Sequence, residues 1–158
     1  MRKDGFNKRQ RNDERGDWDQ RVVEISRVTR VMAGGKRMRF RALVVIGDNK
    51  NKVGFGIGKG ADVSGAIQKA TNRAHKNIIE VPMHKNTIPH EVRAKYGSAL
   101  VLLKPAPVGT GIIAGGPVRV VLGVSGIPNV VAKMLGSANK LNNVRVVFKA
   151  LSSFKLKI

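Results

Sequence analysis

The sequence predicts an α+β fold built from two small units joined at a proline. Three observations carry this. Residues 22–60 alternate apolar and polar side chains at period 2 and are cut by two turns, at Gly34-Gly35 and from Gly47. Residues 62–79 change to helical spacing, with Val63, Ala66, Ile67, Ala70, Ala74 and Ile78 on one stripe. After Pro82 a second series follows in the order strand, strand, helix, strand, helix.

In chain order, residues 1–21 mix Arg, Lys, Asp, Glu, Asn and Gln, with Phe6 and Trp18 the exceptions. Such a segment buries too little surface to offset its ordering entropy. It reads as a charged arm, disordered when free, which is either a solvated tail or an arm that orders on a polyanion. From Val22 the alternation begins, and Gly34-Gly35 supplies the backbone freedom a tight hairpin needs. In the next strand Met38, Phe40, Ala42 and Val44 share one face while Arg37, Arg39 and Arg41 share the other. The turn at residues 47–51 leads to Val53, Phe55 and Ile57, completing a three-stranded antiparallel meander. The helix over 62–79 has Asp62 or Ser64 to cap it, with Lys69, Arg73 and Lys76 together on another face. Residues 22–81 form the first unit and 82–86 the connection.

In the second unit, residues 87–95 and 98–104 read as an antiparallel pair turning at Tyr96-Gly97. Residues 109–116 are glycine-rich and uncharged, Pro117 suits a first helical position, and that helix runs to about Val124. Residues 127–135 are a third strand, and 139–151 a helix with Leu141, Val144, Val147, Phe148 and Leu151 inward. The unit spans 87–152, leaving 153–158 as a basic tail.

Composition bounds the function. The 158 residues are 42% hydrophobic but only 4% aromatic, so the core consists of Val, Ile, Leu and Ala. The net charge is +20, from 30 Lys and Arg against 10 Asp and Glu, and such self-repulsion opposes a compact state unless a polyanion supplies counter-charge. Residues 22–60 hold nine bases and two acids, and 116–158 seven bases and no acid. There is no cysteine, which removes disulfides, zinc–thiolate sites and thiol catalysis and suits a reducing compartment. No apolar h-region follows Arg2-Lys3-Asp4 and no uncharged apolar run reaches the ~18 residues of a membrane span. A soluble, intracellular protein is expected.

A solvated basic face would mix Glu with Lys, yet between Gly34 and Gly60 the only acid is Asp48, inside a turn. The cationic strands therefore read as an anion-binding surface. Gly56, Gly58 and Ala61 match a loose dinucleotide fingerprint, but they lie inside a strand with no parallel βαβ unit before them. Two readings remain for these glycines, and both can hold together: close approach of a nucleic-acid backbone, and room for the helix to pack. His75, His84 and His90 lack metal-ligand spacing, Ser125 lacks the last glycine of a nucleophile elbow, and Glu91 has no carboxylate partner. No catalytic residues, metal or cofactor are expected, so this is not an enzyme. The 109–116 segment, with Ile112 and Ile113 between glycines, reads as a protein contact or domain packing rather than a phosphate loop.

These residues together resemble the small-subunit ribosomal protein five family, bacterial type. The resemblance rests on Gly34-Gly35-Lys36-Arg37, Ala42-Leu43-Val44-Val45-Ile46-Gly47-Asp48, and Lys52-Val53-Gly54-Phe55-Gly56-Ile57-Gly58-Lys59. It continues through Ala66-Ile67-Gln68-Lys69-Ala70, Thr87-Ile88-Pro89-His90 and Gly109-Thr110-Gly111-Ile112-Ile113-Ala114-Gly115-Gly116. Ala33, where many relatives have Lys, and the lack of proline after Asn139 depart from it. The resemblance implies an N-terminal domain similar to double-stranded-RNA-binding domains and a C-terminal domain of the left-handed βαβ type. It implies a structural, cytoplasmic, ribosome-associated role: binding small-subunit rRNA, contacting ribosomal proteins four and eight, and supporting decoding accuracy beside the channel through which mRNA enters. The alternative is a free-standing double-stranded-RNA-binding regulator. The expected rRNA-binding residues are Arg27, Arg30, Gly34, Gly35, Lys36, Arg37, Arg39, Arg41, Lys50, Lys52, Gly56, Gly58, Lys59, Lys69 and Arg73. Gly109, Thr110, Gly111, Ile112 and Arg119 are the expected protein contacts.

Overall fold

Two long strands dominate the computed structural model, which describes residues 18–154. They are β1 (Asp19–Met32) and β2 (Gly35–Gly47), followed by β3 (Lys52–Gly60), helix α1 (Val63–Ala74) and β4 (Ile78–Glu80). The first sheet has the order β1-β2-β3-β4 and is antiparallel throughout. The arm reading for residues 1–17 and the tail reading for 155–158 lie outside the described residues.

Three corrections apply to this half. Asp19, Gln20 and Arg21 belong to β1, opposite Gly47, Ile46 and Val45. Their side chains are polar, but buried β2 backbone needs partners whatever those side chains are. Trp18 packs beside α1, its ring edge-on to His75 with centroids 5.5 Å apart. The helix ends at Ala74, and Ile78–Glu80 forms a fourth strand on Lys52–Gly54. Ile78 keeps helical spacing from Ala74, but adjacent β-branched residues beside an unpaired strand edge gain more as a strand. Finally, the β1–β2 turn is Ala33-Gly34, with Gly35 (φ 140°) opening β2.

The sheet is covered on both faces near its centre. Ala42, Val44 and Ile46 meet Ala66, Ala70 and Ala74 of α1. Leu43, Val45 and Val53 join the core of the second unit, and Phe55 and Ile57 pack against it. The face bearing Arg37, Arg39 and Arg41 is thus cationic only in its distal half.

That second unit comprises β5 (Val92–Tyr96), β6 (Ala99–Pro105), β7 (Ile112–Ile113), α2 (Gly116–Val124), β8 (Val130–Met134) and α3 (Lys140–Ser152). Its sheet is mixed, in the order β5-β6-β8-β7, and β7–α2–β8 is a βαβ crossover between parallel neighbours. β5 starts at Val92 rather than Thr87, since Pro89 interrupts the run and Thr87 makes only isolated bridges. β7 lies within the segment read as a glycine loop. Asn139 caps α3, its Oδ1 accepting from Leu141 N at 3.1 Å, whereas Asp62 at the start of α1 makes no side-chain cap bond. Phe154, placed in the tail above, is buried beside His90.

The units are joined by backbone. Asn49 and Asn51, both at positive φ, donate to the carbonyls of Val124 (3.3 Å) and Ser125 (3.0 Å) at the end of α2. These are carbonyls the helix cannot satisfy itself. Phe55 and Phe148 meet across the junction with centroids 4.6 Å apart.

Candidate nucleic-acid interface

β3 ends opposite Phe40, but β1 and β2 continue as a two-stranded ribbon through Val28↔Arg39, Thr29↔Met38, Arg30↔Arg37, Val31↔Lys36 and Met32↔Gly35. Every residue from Thr29 to Arg39 is exposed. A lone hairpin is marginal in water, and this one stands because its base is continuous with the covered sheet.

Residues directly opposite in an antiparallel pair share a face. Arg30 therefore lies beside Arg37, and Arg41 lies beside Lys59 of β3, all on the face that also carries Arg39. Val28, Met32, Arg30, Arg37, Arg39 and Lys59 line a shallow groove there. Arg41 Nε donates to Ser26 Oγ at 3.3 Å. Among the described residues, Arg30, Arg37 and Arg39 make no ion pair or side-chain hydrogen bond; the ion pairs join Arg21–Asp19, Lys104–Glu91 and Lys140–Glu24. Arg27 and Lys36 sit on the opposite face with Met38 and Val31, the last 72% exposed.

The structure does not gather all the sequence candidates here. Lys50 and Lys52 lie at the other end of β2 and β3, roughly 30 Å from Arg37 at ~3.3 Å per residue, where their backbone N–H groups donate to Asp48 Oδ1. Gly56 and Gly58 are buried beneath α1, where a Cβ would overlap the carbonyl oxygens of Ala70 and Ala66. Of the two readings of these glycines, the structure bears out room for the helix to pack. Arg73 Nη1 donates to Ile57 O at 2.6 Å, closing part of the β3 edge beyond β4. Lys69 is exposed on α1.

In the second unit Gly109 (φ 95°), Thr110 and Gly111 (φ 73°) form one loop at the start of β7. Asn129, which sequence reasoning missed, holds it. Its buried Oδ1 accepts from Gly109 N (3.0 Å) and Gly111 N (3.1 Å), while its Nδ2 donates to Asn86 O at 3.3 Å. The available signal was an Asn directly after Pro128 at a strand start. Ile112 packs against the core, whereas Ile113 (55% exposed) and Val108 (75%) are exposed. Arg119 is exposed in α2. Asn129→Ala strands two loop donors and the Asn86 carbonyl, and should cost about 2 kcal/mol in urea unfolding and speed amide exchange at Gly109 and Gly111.

A cation-faced β-ribbon projecting from two fused α+β units defines a nucleic-acid-binding protein. Residues 18–82 match the family model for the ribosomal protein S5 N-terminal domain, and residues 94–157 the model for its C-terminal domain. The chain is 49% identical to small ribosomal subunit protein uS5 of Thermosynechococcus vestitus over 140 residues, covering 88% of this chain and 80% of that protein. It is 49% identical to uS5c of Cyanophora paradoxa over 144 residues (90% and 85%) and 46% identical to uS5 of Acaryochloris marina over 157 (98% and 89%). The chain belongs to the ribosomal protein S5 family.

Proposed function

We propose that this protein is a structural, non-enzymatic constituent of the small ribosomal subunit, held to rRNA chiefly by its β-ribbon. The observation that carries the reading is the pair of cross-strand like-charge contacts, Arg30–Arg37 and Arg41–Lys59. Like charges directly opposite are destabilising, and only an external anion turns that arrangement into a gain. Arg30, Arg37, Arg39, Arg41 and Lys59 take phosphates on one face, and Arg27 and Lys36 take them on the other. Gly34 and Gly35 at the tip have open space around them, so an RNA backbone can come close. Lys69, Lys50 and Lys52 are separate, peripheral contacts. Recognition is of shape, because side chains do not reach the bases in the deep major groove of A-form RNA.

The partners are rRNA and neighbouring ribosomal proteins. More finely, the Gly109–Gly111 loop and Arg119 contact protein four near the channel through which mRNA enters, and the distal end of the second unit lies toward protein eight. Support comes from the loop held by its bonds to Asn129, beside which Val108 is exposed, and from the family motif it carries. The cysteine-free composition suits a cytoplasmic ribosome. Gly111→Arg places a side chain at φ 73° in that loop. It should leave rRNA affinity within about twofold while raising misreading in a reporter assay; unchanged accuracy would count against the contact.

The class is tested by sedimenting the endogenous protein through sucrose gradients at increasing salt. It should co-migrate with small subunits. Purified protein bound to rRNA should lose ~10³–10⁵ in affinity between 50 and 200 mM salt if 6–10 phosphates are neutralised. Binding of an arbitrary RNA duplex as tight as that of rRNA would favour a free-standing regulator.

A further inference from the structure

The ribbon carries two methionines that differ in their surroundings. Met32 and Met38 are 51% and 54% exposed, whereas Met83 and Met134 are half-buried. Met32 lies opposite Gly35, which has no side chain to cover it, and next to the cross-strand pair Arg30–Arg37 on the same face. It lines the groove there with Arg30, Arg37 and Arg39. Those three guanidiniums hold no ion pair or side-chain hydrogen bond among the described residues, so their N–H donors are free for whatever enters the groove. Met38 lies on the other face, opposite Thr29 and outside the groove. Its neighbouring cations, Arg27 and Lys36, lie to either side of it and are not paired across the strands.

We propose that Met32 is a reversible oxidation site, at which hydrogen peroxide held by Arg30 and Arg37 forms the sulfoxide and withholds the unassembled chain from rRNA. The inference rests on the ribbon being the rRNA contact. In a chain without cysteine, an exposed thioether is the group most open to peroxide. The sulfur lone pair attacks one peroxide oxygen and the O–O bond breaks. The other oxygen leaves as hydroxide and takes the proton of the transferred oxygen, giving sulfoxide and water. Sulfur loses two electrons and the peroxide gains them. Negative charge develops on the departing oxygen, where guanidinium donors stabilise it. The sulfoxide oxygen is then a hydrogen-bond acceptor beside Arg30 and Arg37, and it competes with phosphate for their donors. A methionine sulfoxide reductase with a thiol reductant reverses the change. Once rRNA covers the ribbon, peroxide no longer reaches the sulfur, so only unassembled copies are marked.

The test treats the purified full chain with limiting hydrogen peroxide and follows each methionine by peptide mass spectrometry. Met32 should oxidise about threefold or more faster than Met38, the gain from one donor on the leaving oxygen. Arg30→Gln with Arg37→Gln should remove that advantage and leave the rate at Met38 within about twofold. Equal rates in the native chain, or a Met32 rate indifferent to the two substitutions, overturns the proposal. Oxidised chain should bind rRNA about fivefold or more weakly in filter binding, and reductase treatment should restore the affinity. Met32→Leu should bind as the reduced chain does, before and after peroxide; an equal loss of binding in that variant overturns the proposal. In assembled subunits Met32 should be protected. Oxidation there as fast as in the free chain overturns the ribbon as the rRNA contact, and this inference with it. Protection in subunits without the Met32 advantage in the free chain overturns this inference alone.

Discussion

Replacing Arg30, Arg37 and Arg39 with Glu should reduce rRNA affinity by about 10³-fold or more, taking ~1.5 kcal/mol for each lost charge-assisted bond as the low end. The same change should flatten the salt dependence by ~2–3 units of slope, since each neutralised phosphate contributes ~0.7–0.9. Filter binding at several salt concentrations reads both quantities. The folded protein should not suffer. These side chains are exposed and hold no hydrogen bond or ion pair among the described residues, and removing clustered like charge relieves repulsion.

A single substitution sharpens the point because its two effects have opposite signs. Arg37→Glu sets a carboxylate directly across from Arg30. That replaces a cross-strand repulsion by an attraction and should stabilise the free protein by about 0.5 kcal/mol or less after solvent screening. It should nevertheless weaken rRNA binding. If binding and stability instead moved in the same direction, the cations would be serving the fold, and the ribbon would lose its place as the principal rRNA contact.

The ribbon was legible in the sequence because a two-stranded hairpin is a local object. Its register follows from alternation and one turn, so placing Arg37, Arg39 and Arg41 on one face needed nothing beyond period 2. That Arg30 and Lys59 join them requires the register across each turn, which the Ala33-Gly34 turn sets for Arg30 and the turn between Gly47 and Lys52 sets for Lys59. Non-local facts stayed hidden. Alternation shows that Leu43 and Val45 oppose Ala42 and Val44, but not that a second unit covers them. Asp19–Arg21 look like tail because their side chains are polar, while it is their backbone that the sheet uses. Asn129 holds the Gly109–Gly111 loop across 18 and 20 residues of sequence, beyond the reach of any local pattern.

The buried glycines give the largest effect on stability. On β3, Gly54, Gly56, Gly58 and Gly60 all point to α1, because they pair with Ile46, Val44, Ala42 and Phe40 on that face. The helix answers with Ala66, Ala70 and Ala74, so backbone meets backbone: a Cβ at Gly54 would lie 2.6 Å from Ala74 O, and one at Gly56 would overlap Ala70 O. A carbonyl in a helix cannot swing aside as a flexible side chain can, so α1 would have to lift along its length. Gly56→Ala should therefore cost ~3 kcal/mol or more, the upper part of the range for overpacking. For a chain of this size that corresponds to a fall in Tm of about 6–12 °C, measurable by calorimetry. The exposed, open Gly34 supplies the contrast, since Gly34→Ala meets no atom within 4 Å and should leave Tm almost unmoved. Well below its Tm, the Gly56→Ala protein should bind rRNA with nearly native affinity, because the ribbon lies beyond the end of β3. Loss of binding without loss of Tm would mean that an RNA backbone does approach this strand, against the burial that α1 imposes on it.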